Sequence, residues 1–180
     1  MSASEAIKIK YLDASALVKL YVNESGSKGL QEFFYSDTNF YTTWLCLAEA
    51  VGCLKSKWVG RQSKNDGTRI KTEEYFKATR ELIINWRFRI ESDDLELIDP
   101  SIPFKVEEMA KKHSLDYSDA LQLITIKMGK YSNVAYKSAP NVYESALILI
   151  TGDTGLASAA ESEGIRVWNC TIGPAPAWAY

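Results

Sequence analysis

The chain has 180 residues, with 21 Lys and Arg, 23 Asp and Glu, and one histidine, for a formal net charge of −2. Its 46 % apolar and 24 % charged content supplies the core of one domain over 1–180 and excludes a disordered chain. The lone histidine, His113, excludes a two-histidine zinc site within one chain, and no GxxxxGK[ST] or GxGxxG phosphate loop occurs.

The longest apolar runs, such as 146–150, are too short to cross a bilayer. The first five residues lack the basic and apolar regions of a signal peptide, so a cytoplasmic protein without a membrane partner is expected. The three cysteines agree. Cys46 and Cys53 fall on one predicted helix, roughly 10 Å apart along its axis and beyond disulfide reach. Cys170 stands alone, and all three read as reduced structural residues.

In chain order, residues 7–12 alternate as a short strand that stops at Asp13. A helix is predicted over 14–22, and a second carries Leu30, Phe33 and Phe34. Residues 40–42 form a brief strand, and Thr43 caps a long helix running to Trp58. The polar stretch 61–71 reads as a loop, followed by a helix from Thr72 to about Ile90. A strand is expected at 95–98, then helices over 101–113 and 118–130, and a loop over 131–144. The apolar run 146–151 has the character of a buried parallel strand. Asp153 starts a helix ended by Gly164, a last strand covers 166–168, and the tail 173–180 reads as extended or disordered. Strands alternating with helices predict an α/β fold: a central parallel sheet of about five strands with helices on both faces.

Charge is unevenly spread. Residues 55–89 carry ten Lys and Arg against four Asp and Glu, and the rest of the chain is correspondingly acidic. A basic lobe beside an acidic site suits a polyanionic substrate approached through a metal, although a solvated pair of charged helices gives the same count.

The chemistry-bearing residues are then carboxylates. Asp13 and Asp153 each follow a predicted strand, where loops at carboxyl ends line the crevice of an open parallel sheet. Each also suits a helix N-cap. Glu49 lies in a stretch, Trp44 to Leu54, that is apolar almost all round, so the helix reads as buried and its carboxylate needs a metal or a salt bridge. Asp116 reads as a cap, with Asp119 in the first turn behind it at the rim of the apolar run 120–124. Hard oxygen donors without histidine suit Mg²⁺ or Mn²⁺.

Four of these segments carry a family resemblance. Leu12-Asp13-Ala14-Ser15-Ala16-Leu17-Val18-Lys19 resembles the opening motif of PIN domains, especially VapC-type toxin ribonucleases. Glu49 within Leu-Ala-Glu-Ala-Val-Gly, Asp119 within Tyr-Ser-Asp-Ala-Leu-Gln-Leu, and Asp153 within Leu-Ile-Thr-Gly-Asp-Thr-Gly-Leu-Ala resemble the later acidic positions, in the family's order. The similarity runs from Lys10 to Trp168, while 60–71 and 131–144 lengthen the chain beyond a compact toxin. The resemblance implies a PIN-like three-layer fold and Mg²⁺ or Mn²⁺ held by Asp13, Glu49, Asp119 and Asp153. It also implies supporting hydroxyls at Ser15 and Thr151. It further implies a metal-dependent endoribonuclease, the toxin of a toxin–antitoxin pair, blocked by an antitoxin protein and paired as a homodimer. Lys55, Lys57 and Arg61 in the basic lobe would grip RNA phosphates. Trp58 or Tyr75 would stack on bases or pack in the core. The rival expectation is a PIN-fold RNA-binding or protein-interaction module with little turnover. Asp153-Thr154-Gly155 also spells the aspartic-protease triplet, but a helix-forming run follows it directly and sets that reading aside.

Overall fold

A computed structural model describes residues 7–60, 69–95, 99–139 and 142–180. Its elements run β1 (Ile9–Leu12), α1 (Ala14–Lys19), α2 (Ser27–Ser36), β2 (Phe40–Thr42), α3 (Trp44–Val59), α4 (Thr72–Phe88) and β3 (Ile90–Ser92). They continue with α5 (Ile102–His113), α6 (Tyr117–Met128), β4 (Ala135–Ala139), β5 (Val142–Ser145), β6 (Leu147–Thr151), α7 (Thr154–Ser162) and β7 (Arg166–Asn169). Five strands pair in the order β3-β2-β1-β6-β7, every neighbour parallel.

Burial explains the layering. All five residues of β6 are buried, so its side chains alternate between two cores rather than between core and water. Ile148 and Ile150 join Leu12, Leu17, Phe33 and Leu54 under α1 to α4. Leu147 and Leu149 join Tyr11, Val106, Leu123 and Leu156 under α5 to α7. The result is the expected three-layer, PIN-like α/β arrangement, helix on sheet on helix. Among the described residues no helix is long and apolar enough to cross a membrane.

Two local expectations need correction. The strand expected at 95–98 falls, apart from Leu95, outside the described residues, and the edge strand of the sheet is β3, at Ile90–Ser92. Only Ile90 of β3 is buried, so this edge strand lacks the apolar run that a pattern reading looks for. The loop expected at 131–144 contains the antiparallel hairpin β4–β5, a two-stranded sheet apart from the main one. Val142 and Tyr143 are exposed, so no half-buried alternation marks β5. The tail is ordered: Trp168 Nε1 donates to the Gly173 carbonyl at 3.1 Å, Ala179 is buried, and Tyr180 meets Phe33 edge-on at 4.9 Å. Most of the predicted loop 61–71 lies outside the described residues.

A carboxylate cleft at the carboxyl ends of the parallel strands

Parallel strands send all their carboxyl ends to one edge of the sheet, and that edge collects the acidic residues. β1 ends on Leu12 beside Ile150 of β6, and the Asp13 N–H donates to the Ile150 carbonyl at 3.2 Å. Asp13 therefore leaves the sheet next to the turn Thr151-Gly152-Asp153, although the two lie far apart in sequence.

Two hydroxyls join them. Thr151 Oγ1, fully buried, donates to Asp13 Oδ2 at 2.8 Å and accepts from the Asp153 N–H at 2.9 Å. Ser15 Oγ lies 2.9 Å from Asp13 Oδ2 and accepts from the Gly152 N–H at 2.7 Å. A Cβ at Gly152 would fall 2.4 Å from Lys19 Cε and 3.1 Å from Ser15 Oγ, so a larger residue here must displace the lysine. Lys19 passes beneath this turn to reach Glu24, with its Nζ 3.1 Å from Glu24 Oε2.

The aspartates also cap helices. Asp13 Oδ1 accepts from the Ala16 N–H at 2.7 Å, Asp153 Oδ1 from the Leu156 N–H at 2.8 Å, and Asp116 Oδ1 from the Asp119 N–H at 2.9 Å. Capping and ligation are compatible, since an ionised carboxylate has about four lone-pair sites and each cap uses one. Asp116 further accepts from Ser118 Oγ at 2.8 Å, which accounts for it structurally.

The Asp119 and Glu49 side chains make no hydrogen bond or ion pair with a described residue, and both residues are half-buried. For Glu49 this revises the premise drawn from the sequence. α3 is not buried all round: Trp44, Ala48 and Gly52 are exposed, and Glu49 lies on the flank between that face and the core. An apolar helix need not be a covered one, because Ala and Gly add little area to lose.

The electrostatics link the set. Burial pushes the Asp13 carboxyl up to about 6, against the hydrogen bonds from Ala16, Thr151 and Ser15 that favour its charge. Burial pushes Asp119 up to about 7, and the charges of Asp116, Asp13, Asp153 and Glu49 push the same way. Four segments thus share one negative field. The thiols bordering it are neutral: burial raises Cys46 to about 12 and Cys170 to about 11, with Asp13 adding to both. All three cysteines are free.

Asp13, Glu49, Asp119 and Asp153 supply hard oxygen donors of the kind Mg²⁺ and Mn²⁺ take. Among the described residues no three Asp, Glu, Cys or His side chains already converge as a metal's ligand set. Carboxylates without a cation between them repel, and the unbonded Glu49 and Asp119 are the two with freedom to move inward. The donor chemistry fits a divalent ion, and closing the ligand set requires that movement.

The cations assigned to substrate behave differently. Lys55 is exposed on α3. Lys57 is buried, its Nζ 2.5 Å from Glu24 Oε1, so it braces α3 against the 20–26 segment and does not face a ligand. Spacing alone suggested a basic surface, and the buried Glu24 draws this lysine inward. Arg61 lies outside the described residues. Trp58 and Tyr75 stack on each other, ring centroids 4.6 Å apart at 10°, and pack α4 on α3. Asp93 and Asp94 follow β3 at this same edge, and a strand expected at 95–98 puts them ahead of a strand and away from any carboxyl end. Asp93 is buried and accepts from the Tyr11 hydroxyl.

No protein-family model and no curated protein matches this sequence. Among solved structures, the crystal structure of PAE2754 from Pyrobaculum aerophilum superposes with a TM-score of 0.53 at 16 % identity, covering 91 % of this chain and 88 % of that one. At that identity the likeness is one of fold.

Proposed function

We propose that this chain is a divalent-metal-dependent endoribonuclease of the PIN type, with Asp13, Glu49 and Asp153 holding Mg²⁺ or Mn²⁺ and Asp119 completing the site. One observation carries the reading. Four carboxylate-bearing segments meet at one sheet edge with no cation paired to them among the described residues, and burial, reinforced by their mutual field, holds Asp119 near 7. Glu24 and Glu163, structural carboxylates elsewhere in the chain, are paired with lysines, so an unpaired set at a crevice points to a ligand that brings positive charge.

A divalent ion bound there supplies charge that polarises a phosphodiester and an attacking water. The chain's own residues do the rest. Ser15 and Thr151 hold Asp13 and the 151–153 turn in fixed relation, so the two aspartates stand beside each other at the sheet edge. Asp119, with a carboxyl close to neutral, accepts a proton at its side-chain oxygen from the attacking water. Exposed Lys55 attracts the phosphate backbone. The choice of RNA, the toxin role, an antitoxin partner and a homodimer follow from the motif resemblance.

The test incubates labelled single-stranded RNA with protein in Mg²⁺, in Mn²⁺ and in EDTA, beside Asp13→Asn and Asp153→Asn. Cleavage should vanish in EDTA and fall by about a thousand-fold or more in either variant. Equal inertness of wild type and variants on RNAs that still bind would hand the chain to the binding-module reading.

A further inference from the structure

The carboxylate cleft has an aromatic neighbour that neither the motifs nor the acidic set explains. Trp44 is the first residue of α3, directly after Thr43 at the carboxyl end of β2, and it is 56 % exposed. A tryptophan at the edge of a proposed active site loses a large apolar area to water unless something covers it.

It is also held in place. The Trp44 N–H donates to Asp94 Oδ1 at 2.9 Å, and its ring meets Trp86 at 4.2 Å with a 70° angle between planes. Trp86 is fixed in turn by its Nε1 donating to Ser92 Oγ at 3.0 Å. Both anchors, Ser92 and Asp94, belong to the end of β3 and the residues just after it. An edge-on contact occupies at most one face of each ring, so the pair leaves flat aromatic surface open.

Position relates this ledge to the acids. Trp44 and Glu49 are five residues apart on α3, which puts them on opposite flanks of its outer face, on the order of 10 Å apart. Between them lie exposed Ala48 and half-buried Leu45, and just beyond Glu49 the exposed Gly52 is a position where a Cβ would meet nothing within 4 Å. Ala48 adds only a methyl group to the surface between acid and aromatic.

We infer that Trp44, backed by Trp86, is the base-stacking platform of this site. It receives an unstacked base roughly one or two nucleotides from the phosphate held over the carboxylates. The inference rests on the nuclease reading for its substrate and adds a specificity: the strand must be unpaired where it crosses α3. A duplex keeps its bases stacked inside and offers this ledge no ring face.

The experiment measures equilibrium binding in an Asp13→Asn background with Mg²⁺, which stops cleavage under the nuclease reading and leaves binding readable under the rival. Three probes are compared: a labelled single-stranded RNA, the same RNA in a duplex, and an abasic oligomer of equal length. Trp44→Ala should weaken single-strand binding roughly ten-fold and leave duplex and abasic binding unchanged, while Trp44→Phe restores most of the loss. Circular dichroism melting verifies that each variant is folded. Single-strand affinity unchanged by Trp44→Ala overturns the platform and leaves the nuclease reading standing. Equal losses on the abasic oligomer also overturn it, since the effect would then not come from a base. If Trp44→Ala changes the oligomeric state and not RNA affinity, the surface belongs to a protein contact and the inference fails. Failure of every form to bind any nucleic acid removes both the platform and the nuclease.

Discussion

Two groups of carboxylates sit at different places in this molecule and behave in opposite ways. At Glu163, just past α7, one carboxylate gathers Lys112 at 2.6 Å, His113 at 2.7 Å and Lys127. Those partners hold it down at about 2. At the strand ends, Asp13 and Asp119 stand among other acids and are pushed up to about 6 and about 7. The first group is complete and ties α5, α6 and the end of α7 together. Among the described residues the second has no paired cation, and the fold accepts that cost at the edge where parallel strands place ligands. Glu24, shared by Lys19 and Lys57, belongs with the first kind. The contrast teaches that the balance of cations around a carboxylate, more than its burial, separates a structural acid from a functional one.

The largest effect that sharpens this comparison concerns the buried hydroxyl between the strand ends. Thr151→Val keeps the shape of the side chain but leaves Asp13 Oδ2 and the Asp153 N–H without the partner they share. Cleavage of single-stranded RNA should fall by about 10- to 100-fold, as expected for groups that orient ligands. A rate unchanged from wild type would show that the hydroxyl does not position the aspartates.

Next comes the pH dependence of stability, in which the two groups should differ in sign. A carboxyl raised in the folded state contributes stability that is complete below its unfolded value, about 4, and is lost as pH rises through the folded value. For Asp13 and Asp119 that loss spans pH 4 to about 7. Protein kept in EDTA should therefore melt roughly 3–6 °C higher at pH 5 than at pH 7.5, and Mg²⁺ should narrow the gap by stabilising the charged forms. Glu163 is depressed, so its contribution is present above about 4.3 and lost only as pH falls toward about 2. It adds no slope over the same range. A flat melting profile between pH 5 and 7.5 would contradict the unpaired character of the cleft.

The smallest effect is at the complete group. Glu163→Gln removes the charge shared by partly exposed lysines and should cost about 1 kcal/mol, or roughly 2–4 °C in melting temperature. Metal-dependent cleavage should stay at the wild-type rate. A loss of cleavage without a loss of stability would place Glu163 in the working site and break the distinction drawn above.

Much of this was legible in the residues themselves. The run of β6, the caps at Asp13, Thr43, Asp116 and Asp153, and the alternation of strand and helix are local signals, set by side-chain period and by the hydrogen-bond needs of helix ends. Those signals determined the fold class and the spacing of four acidic segments. Tertiary structure alone decided what depends on neighbours distant in sequence. It drew Lys57 to Glu24 and away from solvent, left one face of α3 open, made an edge strand of Ile90–Ser92, and joined Trp44 to Trp86. It also decided which carboxylates find cations, because charge balance is a sum over everything nearby in space, and sequence order records only what is nearby along the chain.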